Sequence, residues 1–410
     1  AMNPFDEFAV EEAIRLKEAS SQTQEALLEG QRLAVPSDAH ELRGVADLDG
    51  DGDLDLLVAA ALAGSQSGPW VLRNTGNGTF DPPAMIAPGG QSSWIVDLDA
   101  DGDLDVVSGI GGIEGGGGVQ GGARISYNDG QANFGPGPTL VVSNRTGPVH
   151  VAAADADGDA RVDVVLTWVE QDAGGAPRNT WVSIYLQTEE GDFTLRHRQL
   201  LEGPVFYYGN QFSGLQVADI DDDQDPDLVM HVVETSTAIL VLRNDGGGAA
   251  WSQESHDIGT PGFGLSAIRS LLLADGDDDG RTDVHALGMD YLLTFHNEGN
   301  GILNAVDELG DPSGLGRTIL ADLDEDGASD TVVGLPLEWN GSKWVKLYYA
   351  RALVKLSRDG TEITLSCYAG SFSSDTGTGA HRLADLDRDG DLDLCMWGSS
   401  NGKVQVYTNP

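Results

Sequence analysis

The chain has 410 residues, 40% of them apolar, and a formal net charge of -43 at pH 7. That apolar content sustains a large core and excludes a disordered protein, while the charge makes the phosphate-neutralising contribution to nucleic-acid binding strongly repulsive. An anionic membrane surface is excluded on the same ground, and no run of eighteen apolar residues exists to form a transmembrane segment.

The chain opens without a charged n-region and an apolar h-region, so any secretion signal is expected either to have been removed already or never to have been part of this sequence. Residues 1–30 are read as a leader: "EFAVEEAIRLKEA" carries Phe8, Val10, Ala13, Ile14 and Leu16 in a partly amphipathic pattern. A short helix packed on the fold and a flexible acidic segment both fit it. Residues 31–37, "QRLAVPS", have strand character.

From residue 47 onward the pattern D-x-D-x-D-x-x-x-D occurs seven times. Positions 1, 3, 5 and 9 are Asp47, Asp49, Asp51 and Asp55 in the first copy and Asp97, Asp99, Asp101 and Asp105 in the second. The third has Asp155, Asp157, Asp159 and Asp163, and the fourth Asp219, Asp221, Asp223 and Asp227. Asp275, Asp277, Asp279 and Asp283 form the fifth, and Asp322, Asp324, Asp326 and Asp330 the sixth. The seventh has Asp385, Asp387, Asp389 and Asp393. Position 7 varies through Asp53, Asp103, Arg161, Asp225, Arg281, Ala328 and Asp391.

Each copy lies between a small or apolar stretch such as "WIV" or "LLLA" and a β-branched run such as "VVL", which places the aspartates in the loop of a hairpin. Further on, Asn74, Asn128, Asn244 and Asn297 open Gly-rich turns, where positive-φ residues are expected to join the third and fourth strands. Copies start 47 to 64 residues apart, the length of one four-stranded unit. Such units repeated radially make an all-β fold, a seven-bladed β-propeller over residues 31–410. The last unit ends after its third strand, so residues 31–37 are expected to supply the fourth, close the ring and protect its one exposed edge. A monomeric ring follows.

Four carboxylates in one loop repel one another unless a cation neutralises them. Calcium takes six to eight oxygens, and alternating ligands with a carbonyl at position 7 can wrap it. Side chains 1, 3, 5 and 9 with the carbonyl of position 7 would hold up to seven calcium ions, with the Asp53 side chain turned to water. Magnesium, which keeps its waters and demands a stricter octahedron, is less apt. Position 6 is Gly in five copies; Ala160 and Gln224 replace it in the third and fourth, where weaker binding is expected. Calcium modules of roughly 10⁻⁴ to 10⁻³ M affinity fill only where calcium is millimolar, so a structural role and a secreted or cell-surface location are expected.

These loops, with "FSGLQVADIDDDQDPDLV" from Phe212, "FGLSAIRSLLLADGDDDGRTDV" from Phe263 and "VVGLP" from Val332 at the place of a "GAP" turn, carry a family resemblance. Over about residues 40–410 the chain resembles the FG-GAP and VCBS-type repeats of the integrin α-subunit N-terminal β-propeller and its bacterial relatives. Calcium motifs in every repeat look more like a bacterial secreted protein than an integrin. The resemblance implies calcium on one face and ligand recognition on the opposite one.

That second face would be built from loops joining strands two to three and blade to blade. Among them are "IGGIEGGGGVQGGA" (residues 110–123), read as long and flexible, "EQDAGGAPRNT" after Trp168, "EGPVFYYGNQ" with Tyr207 and Tyr208, and "LEWNGSKW" with Trp339 and Trp344. Tyr207, Tyr208 and Trp339 are candidates for contact with an extracellular protein or glycan, the alternative being packing between blades. His150, Arg317 and His381 are read as opening inner strands, as channel-mouth or satisfied structural residues. Gly398 to Gly402 fit G-x-S-x-G without a strand-to-helix elbow, and Gly116 to Gly121 fit G-x-G-x-x-G without opening a helix. A non-catalytic adhesion or recognition module is therefore expected. A lectin-like glycan binder, or a polysaccharide lyase using top-face His, Tyr and Arg, is the alternative. Cys367 and Cys395 are either free buried thiols or one bridge.

Overall fold

In the first five sheets the run behind the acidic loop buries both of its faces, which requires a sheet packed on each side. The computed structural model describes residues 29–34, 39–60, 67–76, 78–90, 92–111, 121–143, 146–172, 177–201, 215–233, 237–257, 270–275, 279–287, 291–310, 318–321, 330–339, 344–355, 362–367, 381–384, 386, 388, 393–398 and 403–408. The leader over residues 1–28 lies outside them.

Among the described residues the strands form seven four-stranded antiparallel sheets. The first sheet runs outward through Ala39–Ala46, Asp55–Ala60, Gly68–Leu72 and Ala84–Met85, and the second through Ser92–Val96, Asp105–Ile110, Gly121–Asn128 and Phe134–Ser143. The third has Thr146–Ala154, Asp163–Gln171, Pro177–Gln187 and Phe193–Leu200; the fourth has Leu215–Ala218, Asp227–Val233, Thr237–Asn244 and Trp251–Asp257. Ser270–Ala274, Asp283–Leu287, Tyr291–Asn297 and Leu303–Gly310 make the fifth, and Thr318–Ala321, Asp330–Trp339, Trp344–Lys355 and Glu362–Cys367 the sixth. In the seventh, His381–Ala384, Asp393–Gly398 and Lys403–Thr408 are followed by Glu29–Ala34, with Glu29 opposite Thr408 and Ala34 opposite Lys403. This outermost strand starts two residues before residue 31, at Glu29, and ends at Ala34.

First strands of successive sheets lie side by side, and that of the seventh returns to that of the first. The fold is an all-β propeller. Its core is the apolar filling between neighbouring sheets: Leu166 and Trp168 of the third sheet meet Val107, Ile125 and Leu140 of the second, while Ile184 and Val182 meet Leu228, Met230 and Leu240 of the fourth. Each fully buried Leu or Ile contributes about 1.5–3 kcal/mol.

The Gly-rich segment read as long and flexible over residues 110–123 lies outside the described residues at 112–120, and the glycines beside that stretch serve close packing. A Cβ on Gly109 would stand 2.4 Å from the Val149 carbonyl oxygen, and one on Gly111 2.1 Å from that of Gly147, so the second sheet's backbone rests on the third's. "VVGLP" is no turn: it lies inside the strand Asp330–Trp339, with Pro336 at a register shift between Leu335 and Leu337, where a missing N–H is tolerated.

Candidate metal centres

In all seven sheets the residue before the acidic motif pairs with the aspartate at position 9: Ala46 with Asp55, Val96 with Asp105, Ala154 with Asp163, Ala218 with Asp227, Ala274 with Asp283, Ala321 with Asp330 and Ala384 with Asp393. The register thus fixes where each loop leaves and re-enters its hairpin. Between those points the backbone turns left-handed twice. Position 6 does so at Gly52, Gly102, Ala160, Gln224 and Gly280, and position 4 at Gly50, Ala100, Gly158, Asp222 and Arg388, with φ from 60° to 99°. Ala160 and Gln224 adopt this conformation without glycine's freedom.

The aspartate at position 1 holds the turn. Asp47 accepts the N–H groups of Gly50 at 2.8 Å and Gly52 at 2.9 Å, and Asp155 those of Gly158 at 2.8 Å and Ala160 at 2.7 Å. Position 5 accepts the N–H of position 7, as from Asp53 to Asp51 at 2.8 Å and from Asp103 to Asp101 at 2.9 Å. These bonds draw like charges together rather than apart. Ligand oxygens of Asp47, Asp49 and Asp55, of Asp97, Asp99 and Asp101, of Asp155, Asp157 and Asp163, and of Asp219, Asp221 and Asp227 lie within 4.8 Å of one another. Asp97 Oδ1, Asp157 Oδ1 and Asp221 Oδ1 are buried with no hydrogen-bond partner among the described residues. Only hard oxygens converge, which suits calcium.

Charge crowding marks the same residues. Burial, and then the neighbouring aspartate at position 5, raise the position 3 carboxyls of Asp49, Asp99, Asp157 and Asp221 above the ordinary range. Burial pushes Asp55 up to about 7 and Asp105, Asp163 and Asp227 up to about 6, although each accepts two backbone N–H groups. Without metal, folding therefore favours the protonated form of these groups. Their stabilising effect is full below 3.8 and is lost as pH rises to about 7. A bound divalent ion reverses the sign, because it needs the carboxylates ionised. The rise in melting temperature that calcium produces over chelator is expected to be larger at pH 8 than at pH 5; equal rises in calorimetry would contradict this account.

The aspartate at position 9 also has a structural duty invisible in the spacing. Asp55 accepts the N–H of Leu48 at 3.0 Å and that of Asn74 at 2.7 Å, tying the acidic loop to the second turn of its sheet. Asp105, Asp163 and Asp227 repeat this with Leu98 and Asn128, Ala156 and Gln187, Ile220 and Asn244. From there the amide side chain reaches back to the preceding loop. Asn128 Nδ2 donates to the Leu48 carbonyl at 2.7 Å, Gln187 Nε2 to Leu98 at 2.8 Å, Asn244 to Ala156 at 2.7 Å and Asn297 to Ile220 at 2.7 Å. Asn74 closes the seam on Leu386 of the seventh sheet at 2.7 Å. The accepting residue is always position 2, whose side chain is at most 1% exposed in Leu48, Leu98, Ala156, Ile220 and Leu386.

These asparagines are therefore not the positive-φ residues expected; the left-handed positions of the second turns are Gly76, Gly78, Gly130, Ala132, Gly246, Gly247, Gly248, Gly299, Asn300 and Gly301. An apolar residue recurring at position 2 of an acidic motif was the available signal for this link. Asp53 is a second correction. Its side chain is buried rather than turned to water, because Arg388 of the seventh loop reaches across the seam to it at 2.8 Å, and also donates to the carbonyls of Gly52 at 2.9 Å and Asp51 at 2.7 Å. Arg161 and Arg281, at position 7, ion-pair with Asp159 and Asp279 at position 5, and Arg243 pairs with Asp221 at 3.3 Å.

Asp277, Asp322, Asp324, Asp326, Ala328, Asp385, Asp387, Asp389 and Asp391 lie outside the described residues, as do Tyr207, Tyr208 and Arg317. The backbone of Trp339 ends a strand of the sixth sheet, and His381 starts the first strand of the seventh. His150 does not open its strand: it sits in the middle of Thr146–Ala154, 8% exposed.

The description "FG-GAP-like repeat" fits residues 47–108 and 97–166, two overlapping spans that each begin on an acidic loop. No curated protein sequence matches the chain. A periplasmic gluconolactonase of Pseudomonas aeruginosa is similar in structure, at 16% identity and a TM-score of 0.53, covering 87% of this chain and 92% of that one. BBS1N, crystallised in complex with ARL6DN, covers 95% of this chain and 98% of its own at 13% identity and a TM-score of 0.52. Similarity at this level concerns the fold alone. A lectin of Agrocybe aegerita is also similar, at 20% identity and a TM-score of 0.45 over 79% of this chain and 80% of that one.

Proposed function

Starting from a β-propeller-like chain that carries FG-GAP-like repeats, we propose that it is a calcium-loaded, non-catalytic recognition module acting outside the cell. The observation that carries this reading is the convergence of carboxylates in four described loops, with buried oxygens at Asp97, Asp157 and Asp221 that no hydrogen bond among the described residues satisfies. Buried ionised groups without a partner are costly, and a divalent cation removes that cost. In each loop the side chains at positions 1, 3, 5 and 9 and the carbonyl of position 7 would hold the ion. Its role is to pin the inner hairpin of every blade of a seven-bladed, monomeric ring that the strand from Glu29 closes.

Recognition falls to the face away from the metal loops, with a protein or glycan as ligand. The lyase reading is disfavoured by His150, whose burial keeps its imidazole from a substrate. Elemental analysis of protein dialysed against millimolar calcium tests the metal half of the proposal. Four to seven calcium ions per chain are expected, between the four described clusters and the seven motifs; less than one ion per chain would overturn it.

A further inference from the structure

At the edge of the core that Trp168 helps to fill, the third sheet carries a cluster that the acidic loops do not use. Trp168 and Trp181 face each other across paired strands and stack, with ring centroids 5.9 Å apart and planes 15° from parallel. Trp168 is buried, whereas Trp181 keeps part of its surface in solvent. Beside them Glu170 is held by two donors: Asn179 Nδ2 at 2.8 Å and the indole N–H of Trp181 at 3.3 Å, both on Oε2. The Arg198 guanidinium lies 5.5 Å from the Trp168 ring centre, and its Nε and the Trp168 indole N–H both donate to Ser183 Oγ, at 3.2 Å and 3.0 Å.

We propose that Trp181, Glu170 and Asn179 form a binding site for an uncharged sugar ring, with Trp168 and Arg198 bracing Trp181 from behind. The cluster sits where the second and third strands approach the loop that joins them, the end of the sheet opposite the acidic loop. It deepens the recognition reading above by naming the ligand class and the place, and rests on that reading.

Three properties point to a sugar. A pyranose offers an apolar C–H face that lies flat on an indole and a rim of hydroxyls that need fixed donors and acceptors. Trp181, braced from behind by Trp168, supplies the flat surface. Glu170 supplies the acceptor: its two bonds lock the carboxylate through Oε2, and among the described residues no hydrogen bond is made to Oε1. Asn179 brings a donor to the same spot. Such pre-ordering lowers the entropy lost when a ligand is fixed. The choice of an uncharged sugar follows from charge: a chain at -43 with a carboxylate in the site repels an acidic saccharide.

The test is calorimetric titration of the calcium-containing full chain with three neutral tetrasaccharides, of β-linked glucose, N-acetylglucosamine and galactose. At least one is expected to bind and to perturb the Trp181 indole N–H resonance. Trp181→Ala and Glu170→Gln should each weaken binding about tenfold or more, while Trp181→Phe, which retains a flat ring, should lose less. Melting temperature and calcium content of each variant separate a lost site from a lost fold or metal. Absence of binding to all three, or binding that survives both Trp181→Ala and Glu170→Gln in folded protein, would overturn the assignment. Tighter binding of an acidic saccharide or a peptide at these residues would overturn it too.

Discussion

Excess chelator is expected to lower the melting temperature by roughly 4–12 °C relative to about 1 mM calcium. The size follows from mass action. Calcium modules of this kind bind at roughly 10⁻⁴ to 10⁻³ M, so at about 1 mM free calcium each site adds about 0.4–1.4 kcal/mol. Seven motifs together give about 3–10 kcal/mol, comparable with the whole folding free energy of a typical protein. An unfolding entropy of about 2.1 cal/mol/K per residue converts that sum into the temperature shift. Repulsion in the emptied loops acts in the same direction, since Asp49, Asp99, Asp157 and Asp221 each face an aspartate two residues on. Strontium, a larger ion of the same charge and oxygen preference, should restore most of the loss. Differential scanning calorimetry in chelator, calcium and strontium provides the measurement. An unchanged transition in chelator would show that hydrogen bonds and packing alone hold these loops.

What could be read from the chain was whatever repeats at short range. Aspartates at alternate positions, flanked by β-branched runs, dictated a hairpin loop, and the recurrence of that unit dictated a propeller. The register of Asp55 opposite Ala46 follows from the same local pattern. The missing information lies between modules. Asn74 and Leu386 are 312 residues apart in the chain, and Asn128 and Leu48 are 80 apart, so no window of sequence holds both ends of the link. Asn74 consequently read as a turn residue only, its commonest local role; its Oδ1 does accept the Gly76 N–H of that turn, but its amide is also a bridge. Asp53 misled for the same reason, since its partner Arg388 belongs to the last repeat. The cluster around Trp181 was half legible: "EQDAGGAPRNT" flagged the loop, but only strand pairing brings Glu170 opposite Asn179 and Trp168 opposite Trp181.

Replacing one aspartate at position 9 separates its two duties, and Asp163 is the position to choose. It is fully buried, accepts the N–H groups of Ala156 and Gln187 at 2.8 Å each, and anchors the Gln187 side chain that reaches Leu98 of the second sheet. Asp163→Ala leaves two buried donors without an acceptor, at about 1–3 kcal/mol each, and is expected to destabilise by roughly 2–6 kcal/mol in chelator and by more in calcium, where a ligand to the ion is lost as well. Asp163→Asn should behave differently. Its amide oxygen keeps one of the two bonds, and it removes a carboxyl that burial pushes up to about 6, so in chelator at pH 8 the lost bond is largely offset by the lost buried charge. In calcium the same substitution takes away an anionic ligand with nothing in return. The Asn variant should therefore lie within about 1 kcal/mol of the parent in chelator and fall well below it in calcium. Denaturant melts of both variants under both conditions read this out. Equal losses for Asp163→Asn in the two conditions would mean that the carboxylate serves only as a backbone acceptor, and that the charge gathered in the third loop stabilises no ion.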